Sequence, residues 1–260
     1  TLLASSAASD VYKRQLLIDT GTGVFDIPEL VRQLTNKPVM VALTHGHIDH
    51  AGGMDQFEEV YLHPADFAMA QAVTPEERGG YVDTMLSMSD GIYSVTRYDV
   101  VVPKTRARLL PLQGGTYLHL GNRDVMVFDT PGHTPGGLSY LDKKERLLFS
   151  GDACNMNTLL AAMGQPATER TCVTALKQTA EKLEALHPYY DRHYNGHIGY
   201  ADAKSCMPMP ECLVRDCIAL CENLLAGTIV GEKVENPFCG ECRLARNNTM
   251  QIVYRDDQVK

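Results

Sequence analysis

The stretch Thr44-His45-Gly46-His47-Ile48-Asp49-His50-Ala51-Gly52-Gly53 constrains this chain more than any other. Three histidines and an aspartate fall within six residues, directly after the apolar run Val39-Met40-Val41-Ala42-Leu43. Such a run reads as a buried strand. Gly46 and the Gly52-Gly53 pair let the backbone turn tightly beyond it. The strand therefore delivers a short loop with four metal-competent side chains. His45 and His47 are two apart and share one side of an extended loop, while Asp49 and His50 fall where a helix starts. Imidazole with carboxylate suits zinc, iron or manganese. A histidine-rich surface loop is the plain alternative, but the chain has nine His in 260 residues, so three in one hexapeptide is strong clustering.

The rest of the chain alternates strand and helix signals. Residues 16–18 read as a strand that ends in the turn Asp19-Thr20-Gly21-Thr22-Gly23, and 27–34 as an amphipathic helix with Pro28 in its first turn. A short helix is expected over 54–59, a strand over 60–62 and a helix over 64–73. Residues 74–99, with Met85 and Met88, suit an inserted lid with an adaptable apolar wall; ordinary helix packing reads the segment equally well. Strands are expected at 100–102, 108–112, 117–120 and 125–128, the last running into Pro131-Gly132-His133. A hairpin over 138–149 ends at Ser150-Gly151-Asp152. Leu176, Ala180, Leu183 and Leu186 mark one face of a helix over 171–186. A strand over 191–195 leads to Gly196-His197, a helix follows over 209–225, and the tail 249–254 is strand-like. His63 reads as a loop residue, and His119, His187 and His193 as solvated.

His-x-His-x-Asp-His resembles the signature of the metallo-β-lactamase fold superfamily. Matches to Asp19-Thr20-Gly21, Pro131-Gly132-His133-Thr134-Pro135-Gly136, Ser150-Gly151-Asp152 and Asn195-Gly196-His197 follow in the family's order. The resemblance covers residues 16 to about 200. It implies an α/β chain built as an α+β four-layer αββα sandwich, with an initial strand pair missing before Asp19, so that an N-terminal sheet edge is truncated. It also implies a binuclear site. His45, His47 and His133 would hold one ion and Asp49, His50 and His197 the other, with Asp152 bridging. Asp49 and Asp152 are the expected catalytic carboxylates, and Asp19 is expected to orient ligands from behind. The cofactor expected is two Zn2+, with Fe or Mn as alternatives. The expected reaction is attack by a metal-bridged hydroxide on a thioester, lactone or other carboxylic ester.

His50 together with Asp152 resembles the glyoxalase II and lactonase branch more than the true class B β-lactamases. A phosphodiesterase or RNA-processing metallo-hydrolase uses the same ligands and stays open. An iron-dependent oxidoreductase is a further alternative; flavin-linked di-iron relatives carry a glutamate where this chain has His47, and iron persulfide dioxygenases use fewer ligands. A metal-holding module without turnover is the non-enzymatic reading. Tyr200, three residues after His197, is a candidate to reach a substrate oxygen.

Net charge is −8, which speaks against a general nucleic-acid binder. No apolar run approaches the roughly 18 residues of a membrane span. The expected partner is a small-molecule substrate, with no membrane and no nucleic acid; a homodimer stays open. Eight cysteines, at 154, 172, 206, 212, 217, 221, 239 and 242, are expected as reduced thiols of a cytoplasmic protein. Cys239 and Cys242, with Cys217 and Cys221 one helical turn apart, make a structural zinc in the 206–260 part an open alternative. Cys154 is placed to line the site, though not as its nucleophile. Residues 1–15 read as a non-native leader: Ser5 to Gln15 back-translates into a transposase-type sequencing adapter, which leaves 16–260 as the hydrolase domain.

Overall fold

Four short strands near the start of the chain lie parallel, in the order β1-β2-β3-β4: β1 (Gln15–Ile18), β2 (Val39–Ala42), β3 (Glu59–Leu62) and β4 (Arg108–Pro111). Parallel neighbours need crossovers. These are supplied by α1 (Ile27–Leu34) between β1 and β2, α2 (Ile48–Ala51) between β2 and β3, and α3 (Phe67–Ala72) with α4 (Pro75–Met88) before β4. Every residue of β1 is buried, as a parallel strand covered on both faces should be. The computed structural model describes residues 14–88, 94–160, 162–197 and 208–260. They form two compact units: one runs to Leu112 and includes His119–Asn122, the other comprises Gln113–Leu118 and Arg123–Lys260.

Local chemistry starts the helices of the first unit. Asp26 accepts the Glu29 backbone N–H at 2.8 Å, with Pro28 in the opening turn of α1. Thr74 and Glu77 exchange a reciprocal pair of bonds at the start of α4, the Glu77 carboxylate accepting from Thr74 N at 2.8 Å and Thr74 Oγ1 from Glu77 N at 3.2 Å. The core of this unit joins Leu17, Val31, Val41, Leu43, Met54, Val60 and Leu62.

The second unit holds two sheets. One has the order β10-β8-β7-β6-β5, built from β5 (Tyr117–His119), β6 (Asp124–Asp129), β7 (Leu138–Asp142), β8 (Leu147–Phe149) and β10 (Arg192–Tyr194). β7 is antiparallel to β6 and β8, whereas β10 is parallel to β8, with His193 opposite Leu148. The other has the order β11-β12-β13-β9, from β9 (Asn157–Leu159), β11 (Glu232–Asn236), β12 (Gly240–Arg246) and β13 (Gln251–Tyr254). Helices α5 (Val173–Ala185) and α6 (Leu213–Leu225) share one core, in which Leu176, Ala180 and Leu183 meet Val214, Cys217, Leu220 and Leu224. Those spacings of three and four are the apolar stripe of a core-facing helix. Among the described residues no helix is long and apolar enough to cross a membrane.

Several expected elements differ. Val100 to Val102 is not a strand. Val100 makes an isolated bridge to Val24, and Val101 N–H donates to the Gly23 carbonyl at 2.9 Å. An extended run becomes a strand only where a neighbouring edge takes its bonds. Residues 54–59 hold one 3-10 turn, Met54–Gln56, because Glu59 already pairs with Arg108 in β3. α6 starts at Leu213, not 209; Met209 N–H instead donates to the His193 carbonyl at 2.7 Å. β9, β11 and β12 were not expected. Residues 1–13, 89–93, Tyr200 and Cys206 lie outside the described residues.

Candidate metal centre

The loop after β2 is held open by backbone contacts that its sequence dictates. A Cβ on Gly46 would stand 2.9 Å from the Asp66 carbonyl, and one on Gly52 would stand 2.3 Å from that of Ile48, so neither position accepts a side chain unless its neighbours shift. Asp66 is fully buried and accepts the Gly46 N–H at 3.1 Å. His45, His47 and His50 are nearly inaccessible, at 2, 6 and 2% exposure. Their rings cluster, with His45 centred 4.9 Å from His47 and 4.1 Å from His50. α2 carries both Asp49 and His50, as expected.

Asp19 sets the chemistry of this half. It sits at φ +61°, a left-handed backbone conformation that aspartate tolerates better than most residues. From there Oδ1 accepts the Thr44 N–H at 2.7 Å and Oδ2 accepts from Nδ1 of His50 at 2.8 Å. A carboxylate on Nδ1 keeps the proton there, so Nε2 presents its lone pair. Thr20 accompanies it, donating from N and from Oγ1 to the His50 carbonyl at 2.7 and 2.9 Å. Nε2 of His50 stands 3.7 Å from Oδ2 of Asp49. That oxygen also accepts from the Tyr81 hydroxyl at 2.9 Å.

The second unit gathers His133, Asp152 and His197. Nδ1 of His133 donates to the Leu159 carbonyl at 2.6 Å, which again leaves Nε2 with its lone pair. The loop around it is pinned by Gln165 Nε2 on the His133 carbonyl at 2.6 Å and Arg170 Nε on the Pro135 carbonyl at 2.6 Å. Asp152 follows β8 in a 3-10 turn. Its Oδ2 lies 3.5 Å from Nε2 of His133 and its Oδ1 lies 2.9 Å from Nε2 of His197. Asn155 donates to that Oδ1 at 2.9 Å and steadies the carboxylate. His197 is placed by an Asx turn, its N–H donating to Asn195 Oδ1 at 3.0 Å.

The donor chemistry in both units fits divalent ions. Imidazoles held with the proton on Nδ1, beside carboxylates oriented by hydrogen bonds, are the set that zinc, iron and manganese accept. The cysteines stand apart. Among the described residues, no group of side chains close enough to hold a metal includes one, so the four-thiol zinc centre is not assembled. Hydrogen bonds with the Cys154 and Cys221 thiols, and after them burial, push the Cys217 thiol pKa well above its ordinary value. Cys154 is fully buried in the α5/α6 core. All seven described cysteines are free thiols.

His193 is a correction: it is 5% exposed, not solvated. As the central residue of β10 it turns inward, where Nε2 pairs with the Ser150 hydroxyl at 2.7 Å. His187 is half-buried, and His119 is exposed, as expected. His63 caps a 3-10 turn by accepting the Ala65 N–H at 3.1 Å. Asp66, Tyr81, Asn155 and Gln165 were missed as hydrogen-bonding supports of the candidate ligands and their loops. All but Asn155 are far in sequence from what they hold, so no local pattern marks them.

A family model described as the metallo-beta-lactamase superfamily matches residues 13–199. The acyl-coenzyme A thioesterase MBLAC2 of Homo sapiens is 31% identical over 169 residues, which cover 57% of this chain and 57% of that protein. The hydroxyacylglutathione hydrolase GloC of Haemophilus influenzae is 22% identical over 143 residues, covering 55% of this chain and 62% of its own. The chain thus spans somewhat over half the length of these curated relatives. A solved metallo-beta-lactamase from Pontibacter korlensis is similar with a TM-score of 0.51 at 17% identity, covering 85% of this chain and 86% of its own, which shows a common fold.

Proposed function

We propose a reaction from one premise: this chain belongs to the metallo-β-lactamase superfamily, by the match over residues 13–199. It is a binuclear metal-dependent hydrolase that opens a thioester, lactone or other carboxylic ester. On the family's ligand pattern, His45, His47 and His133 would hold one ion and Asp49, His50 and His197 the other, with Asp152 shared. The observation that carries this reading is the Asp152 carboxylate, whose two oxygens face Nε2 of two different imidazoles, His133 and His197.

Bound divalent ions would supply an acidified water, with a pKa near about 7, and a Lewis acid for the substrate carbonyl. The chain's own work is to hold the donors in the right protonation state. Asp19 keeps the proton on Nδ1 of His50, and the Leu159 carbonyl does the same for His133. Asp49 and Asp152 would offset part of the ions' charge. A thioester is the favoured substrate class because the thioesterase from Homo sapiens is among the most similar relatives, at 31% identity.

The test combines metal analysis with a panel of an acyl-coenzyme A, a hydroxyacylglutathione, a lactone and a phosphodiester. Two equivalents of zinc with turnover of a thioester or lactone is the expected result. Phosphodiester turnover alone, or iron with oxygen consumption, would replace it. Asp152→Ala is expected to lose the second ion and most of the activity, because it removes the carboxylate that faces both imidazoles.

A further inference from the structure

Helix α4 meets the ion-binding loop through Arg78 and Tyr81, three residues apart and so on one face. Arg78 is 5% exposed, and its Nη1 donates to the Gly52 carbonyl at 2.8 Å. Gly52 ends α2, where the last carbonyls of a helix lack donors of their own. One turn on, the Tyr81 hydroxyl donates to Oδ2 of Asp49 at 2.9 Å. It does so on the oxygen that stands 3.7 Å from Nε2 of His50, the imidazole atom that Asp19 leaves with a lone pair. The terminal torsion of an aspartate is soft and nearly two-fold, so a donor on one oxygen decides which way the carboxylate plane faces.

We infer that Tyr81 is a positioning residue for Asp49: its hydroxyl fixes the carboxylate that, with His50, would hold one of the two ions, while Arg78 anchors the loop that carries both. The inference rests on the two-ion reading above. A neutral phenol donates without cancelling the carboxylate's charge, so it orients the ligand and leaves its charge for the ion. Groups that orient metal ligands in this way typically cost about 10–100-fold in metal affinity when removed. Phenylalanine in place of Tyr81 keeps the ring and removes the hydroxyl alone.

The experiment titrates Zn2+ into metal-free wild-type protein, Y81F and R78Q in competition with a chromophoric chelator, and records thermal unfolding of the metal-free forms. Wild type is expected to take two equivalents. Y81F is expected to keep one binding step unchanged, to lose about 10–100-fold on the other, and to keep the metal-free melting temperature of wild type. R78Q is expected to lower that melting temperature, because the Gly52 carbonyl loses a buried cationic donor. The inference is overturned if Y81F binds both ions as wild type does, weakens both steps equally, or lowers the metal-free melting temperature as R78Q does. Wild type that takes fewer than two equivalents overturns the two-ion reading and this inference together.

Discussion

A single buried imidazole shows how closely residue chemistry is tied to the strands that deliver the ligands. His193 lies in β10, which leads to His197, and its Ser150 partner directly follows β8, which leads to Asp152. Burial alone pushes the His193 pKa down from 6.5 to about 4. The imidazole is therefore neutral in the fold, and its protonation is easier in the unfolded chain. The sign follows from linkage: the contribution to stability is fully present above about pH 6.5 and is lost as the pH falls toward about 4, a total of about 3 kcal/mol. Unfolding free energies measured between those pH values should fall more steeply for wild type than for His193→Gln. Parallel curves would mean that His193 is not the group being titrated.

At the scale of elements, α6 offers a contrast within one helix. Leu220 is fully buried, whereas Leu225, at the last turn, is 37% exposed. Leu220→Ala should cost about 2–5 kcal/mol, because a cavity remains where the side chain was. Leu225→Ala should cost under about 1 kcal/mol. Urea denaturation of the two variants tests which face of α6 is packed, and equal losses would contradict the helix as placed. That face was legible in the sequence, since Val214, Cys217, Cys221 and Leu224 repeat at helical spacing. So were α1, from Pro28 and its amphipathic pattern, and the ligand loops, because each follows a short apolar strand and turns on glycine. α4 was legible only in part: Thr74 and Glu77 mark its start, but nothing near Arg78 or Tyr81 says that their partners are Gly52 and Asp49. β11 and β12 hid for another reason. Glu232, Lys233, Glu235 and Glu241 crowd them with charge, and they pair as a hairpin without an alternating apolar face. His193 was misread because a three-residue strand is too short for alternation to decide which face is inside.

For the molecule as a whole, ion binding and folding stability are one equilibrium. The net charge is −8, and buried Asp19 and Asp66 sit close to the loop that carries His45, His47, Asp49 and His50. Two divalent cations would remove half of that net negative charge. An ion that binds the native chain and not the unfolded one stabilises it by about 2.7 kcal/mol when present at a hundredfold over its dissociation constant. In a chain of this size each kcal/mol moves the melting temperature by about 2–4 °C, so chelation should lower it by roughly 5–10 °C for each ion removed. Calorimetry of zinc-loaded and chelator-treated protein reads this directly, and adding zinc back should restore the loaded value. Asp152→Ala should show a smaller span between the two states than wild type, because it is expected to hold one ion fewer. A melting temperature that ignores the chelator would mean that the histidines and carboxylates gathered here hold no metal, and the proposed hydrolysis would lose its basis.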